Sequence, residues 1–598
     1  MREDPVGSSG LIFNEDLIFD LGSTGEEGYS LPEWEEGGEE AAQMIPGHLV
    51  RGEIEELPQV SEVEVIRHFT RLSQWNFSID SGFYPLGSCT MKYNPRVNET
   101  AAALPEFSTL HPCQGEEFSQ GALQVMWELQ HYLAEISGLP AVTLQPAAGA
   151  HGEMAGMLMI RAWHGDRGRP RTTVLIPDSA HGTNPASIVF CGWDVREVKS
   201  DERGLIDPAE VEKAMDEDVA AIMLTNPNTL GLFEEHIREV ADIVHDGGGL
   251  VYMDGANLNA MMGITRPAEM GVDVMHFNLH KTFSTPHGGG GPGSGPVAAT
   301  EELEPYLPLP KVVREGDTYR LDASSRKSIG RVRAFFGNFG VLLRAWAYIR
   351  SLGAEGLLEA SRTAVLNANY IRMKLHGTYH VPYDRICMHE CVLSDKKQRD
   401  GAATIDIAKR LIDYGFHPPT VYFPLIVKGA IMIEPTETES RETLDRFIRA
   451  MREIDEEIRD RPDVVRIASG EKLSFSQKDV AFDGHTIEVR INAEDPETFA
   501  PSPGLITDYH QPGGPGIRVD SSAYTGYRML PFYDSLIAKL IAHGRSREEA
   551  LARLERGLEE FIIGGIKTTI PLHRRIVRDE AFREGRFSTQ YLDSFLKG

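Results

Sequence analysis

Three short apolar segments, each ending in polar residues, constrain this 598-residue chain most. They are TTVLIPDSAHG at 172–182, AAIMLTNPN at 220–228 and GLVYMDGAN at 249–257. Each is the length of a buried strand and too short for a buried helix. Between the last two, Ile237, Val240, Ala241 and Val244 recur at helical spacing, and Gly247 to Gly249 close the segment. Upstream, Leu123, Met126, Leu129, Leu133 and Ile136 form one stripe and predict a helix over 119–137. LQPAAGAHGEMAGM then reads as a strand, a turn at 147–150 and a helix to about 163. Strands and helices in this alternation predict an α/β fold with a mostly parallel sheet covered on both faces. Ligands gather at the carboxyl ends of such strands.

The polar landmarks fall at those ends. NLHKTFSTPHGGGGPGSGP, residues 278–296, sets Lys281 between an apolar segment and a glycine-dense turn, 27 residues after Asp254. A lysine amine forms an imine with the aldehyde of pyridoxal 5'-phosphate (PLP), and a carboxylate keeps the pyridine nitrogen protonated. Glycines admit a bulky phosphorylated group close to the backbone. Taken alone, the motif reads equally as a surface lysine beside a flexible loop.

Ala148, Gly149 and Ala150 open a helix whose free N–H groups suit the cofactor phosphate, or form a plain tight turn. His181 lies past a strand end, where its flat ring can cover the pyridine and exchange protons with a substrate. Asn226 and Thr229 reach either the ring oxygen or the substrate, or serve the Asn-Pro turn. Asn257 and His280 join this cofactor set. The loop SGFYPLGSCTMKYNPR at 81–96 carries Tyr84, Ser88, Thr90, Lys92 and Arg96, a mixture suited to holding a small carboxylate over the site.

Net charge is −29, which argues against nucleic acid and anionic membranes as partners. The first 60 residues hold 15 Asp/Glu against 2 Lys/Arg, as expected of a solvated or partner-draped arm. Neither a signal peptide nor a membrane-spanning run is evident, and five cysteines suggest a reducing compartment, so a cytoplasmic location is expected. Cys387, His389 and Cys391 lack an evident fourth ligand and read as core residues of the strand in MHECVLS, so no metal is expected. Four regions follow: an acidic arm with a helical segment at 1–80, a large cofactor domain at 81–330, a small α/β domain at 331–460, and a tail at 464–598. The small domain ends in a helix from about 441, with Leu444, Phe447, Ile448, Met451, Ile454 and Ile458 as its stripe and Ser440 as N-cap. RDRPD at 459–463 reads as a charged break. In the tail, HTIEVRINAEDP and YDSLIAKLIAHG read as strands, and Ser546 with Glu549 as a capping box opening a helix to about 561.

From about residue 10 to 460, the loop at 81–96, LQPAAGAHGEMAGM, AHGTNPAS, TNPNTLGLFE, YMDGANLNA, HFNLHKTFSTPHGGGGPGSGP and FHPPTVYFPLIV resemble glycine decarboxylase. More narrowly, they resemble the second subunit of the two-subunit P-protein of the glycine cleavage system. The resemblance implies a type I PLP fold, with Lys281 as the Schiff-base lysine, Asp254 against the pyridine nitrogen and His181 on the ring. It implies decarboxylation of glycine and transfer of the aminomethyl group to the lipoyl arm of H-protein. It also implies a heterotetramer with subunit 1. Two other readings stand beside it: a PLP decarboxylase for a larger amino acid, and a non-catalytic assembly subunit, against which Lys281 and Asp254 count.

The tail is similar to the carboxyl-terminal domain of biotin carboxylase, through GHTIEVRINAEDP, PSPGLITDYHQPGGPGIRVDSS and EEFIIGGIKTTIPLH. Arg490 matches an arginine that in that family lies near the biotin ring. The ATP-grasp domain of that family has no counterpart here, so biotin carboxylation is not expected of this polypeptide alone. Three accounts of the tail stand: a join made in assembling the sequence, a fused inert module, or a complement to a separate ATP-grasp fragment that would make the chain bifunctional, as in acetyl-CoA carboxylase.

Overall fold

The structure is a computed structural model describing residues 15–21, 45–49, 58–288, 293–398, 401–468, 484–531, 534–588 and 591–596. The chain divides into two units, Met1–Lys472 and Leu473–Gly598. No helix among the described residues is long and apolar enough to cross a membrane. Most of the acidic arm lies outside the described residues. Within it, Glu15 accepts from Arg71 and lies 2.9 Å from His68 on the helix Glu62–Gln74. Ser61 and Glu64 close that helix with a reciprocal capping box.

The first unit is built on a seven-stranded sheet. Its strands are β1 (Ala141–Thr143), β2 (Thr173–Pro177), β3 (Asp194–Val198), β4 (Val219–Thr225), β5 (Leu250–Gly255), β6 (Val274–Phe277) and β7 (Val297–Ala299). Their spatial order is β1-β7-β6-β5-β4-β2-β3. The ladders from β3 to β6 are parallel; β7 alone runs antiparallel, between β1 and β6. Every residue of β2, β4, β5 and β6 is buried, as expected of strands covered on both faces. Covering helices include Gln120–Ser137, Gly149–Asp166 and Ile237–Asp246. The predicted apolar stripes point inward, with Ile237, Val240, Ala241 and Val244 all buried; Ile136 is only half covered.

A 37-residue helical stretch, Phe339–Leu375, is broken at Gly353, whose φ of 63° and ψ of −174° are not helical. It leads to a three-stranded antiparallel sheet, Cys391–Ser394, Ala430–Ile433 and Thr420–Val421. Cys387 and His389 precede the first of these strands, and both are buried. The helix Arg441–Asp460 packs on this layer with all six stripe residues buried, and the Ser440 hydroxyl accepts the Thr443 N–H at 3.2 Å. Each such large apolar side chain contributes about 1.5–3 kcal/mol on burial.

Residues 459–463 are less of a break than the charges suggest. The chain leaves helical geometry at Arg461 and re-enters a helix at Pro462–Ala468, whose Val465 joins the core around Phe447. The first unit's core therefore extends past the junction at 460–464 expected from the sequence.

In the second unit, His485–Asn492, Leu536–Gly544 and Ile517–Ser521 form an antiparallel sheet backed by the helix Arg547–Glu560. Only half of the predicted capping box forms. The Ser546 hydroxyl accepts the Glu549 N–H, while the Glu549 carboxylate takes the N–H of Arg545, one residue earlier than a box requires.

Phe447 meets Phe83 and Phe416 edge-on at 5.2 and 5.4 Å and is fully buried. Phe447→Ala is expected to cost about 3–5 kcal/mol through lost contacts and a cavity. Denaturant unfolding against the wild-type chain measures that loss.

Candidate active site

Parallel register brings three polar residues together at the strand ends. Thr225 on β4 pairs with Asp254 on β5, and Asp254 pairs with His276 on β6. Lys281 follows β6 on the helical turn Leu279–Thr282. All four line one cavity of about 170 Å³, together with Gly149, Ala150, His181, Thr229, Asn257 and His280.

Asp254 is buried and well held. Asn184 Nδ2 and the Ala256 N–H donate to its two oxygens at 2.9 Å each, and His276 Nε2 lies 3.3 Å from Oδ1. Burial pushes its pKa up; His276, Asn184, Lys281 and the Ala256 N–H outweigh that and leave it below the ordinary carboxyl value. Asp254 is thus an anion across the neutral range. His276 is oriented in turn by the Tyr252 hydroxyl, 2.8 Å from its Nδ1.

Lys281 Nζ has no hydrogen-bond or ion-pair partner among the described residues. An amine so placed, beside a buried carboxylate, is available to condense with an aldehyde. His181 Nδ1 lies 3.0 Å from Thr183 Oγ1, which donates to Glu153 at 2.9 Å. Burial lowers the His181 pKa, so its ring is neutral at physiological pH. Burial, then His287 and Lys281, take His280 down to about 3.

The helix Gly149–Asp166 begins at Ala148 without a capping side chain, and the N–H groups of Gly149, Ala150 and His151 donate to no backbone carbonyl among the described residues. That is an anion site aimed at the cavity. Two glycines permit it. A Cβ on Gly149 would lie 2.2 Å from Asn278 Oδ1, and one on Gly295 would lie 1.9 Å from the Ala148 carbonyl. Residues 289–292 of the predicted glycine turn lie outside the described residues. The buried hydroxyl of Thr225, at the cavity wall, also lacks a partner among them. A free amine, an ionised carboxylate, a bare helix start and an unpaired hydroxyl converging on one cavity fit PLP.

The loop at 81–96 divides. Ser88 lines the Lys281 cavity, whereas Tyr84, Thr90, Lys92 and Arg96 line a larger one of about 790 Å³ that shares His280. Lys92 is not a free clamp: its ammonium donates to Asn259 at 2.9 Å, Tyr348 at 3.1 Å and Glu437 at 2.8 Å. Burial opposes its charge, and Glu437 and Tyr348 outweigh burial. Lys92 ties the loop down and has no donor left for a substrate carboxylate. Tyr84 stacks on His417 at 3.8 Å, and Arg96 pairs with Asp80 at 2.8 Å.

Asn226 does not line the cavity; its Oδ1 accepts the Glu234 N–H at 3.0 Å, which is turn chemistry. Thr229 lines the cavity with its hydroxyl bound to the Ser179 carbonyl. Asn257 faces the cavity and donates to the Pro227 carbonyl at 2.9 Å. In the second unit Arg490 is exposed on its strand, and its carbonyl accepts from Thr569 and His573.

Sequence reasoning missed His276, Asn184 and Glu153. His276 had a signal, since a histidine inside an apolar strand next to the Asp254 strand is its in-register neighbour. Asn184 and Glu153 act through contacts across 70 and 34 residues, to Asp254 and Ser187, that no local pattern announces.

Comparison with known proteins places this geometry. Residues 360–473 match the family described as "Glycine dehydrogenase, C-terminal domain", 152–319 match "Aminotransferase class-V", and 488–594 match "Biotin carboxylase C-terminal domain". "Probable glycine dehydrogenase (decarboxylating) subunit 2" of Chlorobium chlorochromatii is 57% identical over 456 residues, 76% of this chain and 95% of that protein. Its namesake in Halalkalibacterium halodurans is 56% identical over 461 residues, 76% of this chain and 94% of that one. Among solved structures, glycine decarboxylase (P-protein) of the glycine cleavage system, in inhibitor-bound form, superposes with a TM-score of 0.60 at 21% identity. It covers 71% of this chain and 99% of its own. A cysteine desulfurase from Thermococcus onnurineus reaches 0.50 at 17% identity, covering 63% of this chain and 95% of its own. These likenesses show the type I fold of PLP-dependent enzymes.

The close glycines give a prediction with two signs. Gly149→Ala is expected to destabilise by about 1–3 kcal/mol, because Asn278 must move. Gly165→Ala, in the same helix with nothing within 4 Å, is expected to be neutral or to stabilise by up to about 1 kcal/mol. Thermal melts of the two variants check the contrast.

Proposed function

The chain belongs to the glycine dehydrogenase (decarboxylating) subunit 2 family, and we propose that its first unit is a PLP-dependent glycine decarboxylase. The reaction is decarboxylation of glycine, with the aminomethyl group passed to the lipoyl arm of H-protein in the glycine cleavage system. The observation that carries this reading is the unpaired Lys281 amine in one cavity with an anionic Asp254.

Bound PLP supplies an aldehyde for amines and a ring that withdraws electrons while its nitrogen is protonated. Lys281 Nζ is the group to hold it covalently. Asp254 holds the proton at the pyridine nitrogen, and Asn184 and His276 hold Asp254. The helix start at Gly149–His151 binds the phosphate. His181, neutral and at the cavity wall, covers the ring face. Ser88 and Asn257 bound the space beside these groups.

The family name implies a first subunit as partner, and a heterotetramer with it belongs to the same proposal. So does a cytoplasmic location. For the tail, the family match supports a folded module of the biotin carboxylase type.

Lys281→Ala is expected to abolish both CO2 release from glycine and the visible absorbance of the coenzyme-loaded chain. The assay includes subunit 1 and lipoylated H-protein. Retention of both signals would refute the assignment, and release from a larger amino acid but not from glycine would redirect it. Asp254→Asn is expected to keep the coenzyme and slow CO2 release on the order of 10²-fold or more, as losing one electrostatic contact to the reacting group does.

A further inference from the structure

Two fully buried carboxyl groups lie beside the cavity without lining it. Glu390 immediately precedes the strand Cys391–Ser394, and Glu434 immediately follows Ala430–Ile433. Those strands are antiparallel with Cys391 opposite Ile433, so one step further brings Glu390 opposite Glu434 on a shared face. A carboxylate oxygen of each lies within 4.8 Å of the other and of a His389 ring nitrogen. Among the described residues no lysine or arginine forms an ion pair with either acid. His389 Nε2 is 3.7 Å from Glu434, and burial drives its pKa down to about 3, so it supplies no charge.

Two buried anions at this separation, with no counter-ion in contact, cannot both persist, and neighbouring acids in that position share a proton. Burial pushes Glu434 up to about 7 against the donors of Thr90. Burial, then repulsion from Glu434, pushes Glu390 well above the usual range. The other groups that face the pair are Lys281 from its helical turn, Cys89 and Lys92 from the loop at 81–96, and Cys387 and Cys391 from the small domain.

The pair grips the loop. The Ser88 N–H donates to Glu390 at 2.8 Å, and Asn257 Nδ2 lies 3.4 Å from the same carboxyl. The N–H and hydroxyl of Thr90 both donate to Glu434, at 2.8 and 2.5 Å. Ser88 and Thr90 have φ of 63° and 49°, a left-handed region that side-chain-bearing residues enter only when held there.

We propose that Glu390 and Glu434 are positioning residues that share one proton, which relieves their mutual repulsion and leaves their oxygens in place to accept from Ser88, Asn257 and Thr90, so that Ser88 and Asn257 stay as walls of the Lys281 cavity. Their relevance to catalysis rests on the reading of that cavity as the substrate site. With both folded-state pKa values raised, the stability contributed is complete below the ordinary carboxyl value of 4.5 and is lost as pH rises through about 7 at Glu434.

The test is hydrogen–deuterium exchange of the full-length chain between about pH 5.5 and 8.5, read as protection factors for peptides spanning Ser88–Thr90. Wild-type protection is expected to fall about tenfold or more across that range. Glu390→Gln keeps a neutral donor in the place of the shared proton, so its protection is expected to stay level. Glu434→Gln sets an amide N–H2 against one of the two Thr90 donors, and protection is expected to be low at every pH. A level wild-type profile overturns the proposal, as does a Glu390→Gln profile that falls in parallel with it. If Glu390→Gln does not fold, the wild-type profile and Glu434→Gln decide. CO2 release from glycine, measured on the same samples with the partner proteins, separates the two readings. The expected exchange pattern without any release sinks the decarboxylase and leaves the proton pair. Release with level exchange does the reverse.

Discussion

The site depends on one electrostatic arrangement: a carboxylate, Asp254, kept ionised in a place where burial alone would neutralise it. Register makes this possible. Because β4, β5 and β6 run parallel, the residues at their ends fall side by side, and Asp254 lies between Thr225 and His276. Asn184 and the Ala256 N–H then complete its shell. A buried charge without such donors costs several kcal/mol, so these contacts are a condition of the fold as much as of the chemistry.

The second layer of control comes from the small domain. Its antiparallel strands present acids toward the loop at 81–96, and that loop contributes walls to both cavities. The fold therefore joins the parallel sheet, with Asp254 and His276 at its strand ends, to a small domain whose buried Glu390 and Glu434 accept from Ser88 and Thr90. The strained Ser88 and Thr90 mark the join.

Much of this was legible in the sequence because it is local or periodic. The stripes at 119–137, 237–244 and 444–458 read directly as helices, and the apolar runs ending in His181, Thr225 and Asp254 read as strands. Lys281 and Asp254 were legible as a pair because the chemistry needs both. What the sequence hid is long-range. Lys92 looked like a carboxylate clamp, and only the fold shows Glu437, some 345 residues away, taking its charge. Asn226 carried equal claims as ligand and turn residue, and the Glu234 N–H decides for the turn. The helix at Pro462–Ala468 was masked by the charges around it, although Val465 has the apolar character that buries it.

The reversed strand β7 has a topological consequence. Because it lies antiparallel against β6, the segment bearing Lys281 leaves the sheet and returns to it next door. Lys281 therefore follows a strand that is paired on one side with the strand bearing Asp254 and on the other with the reversed strand.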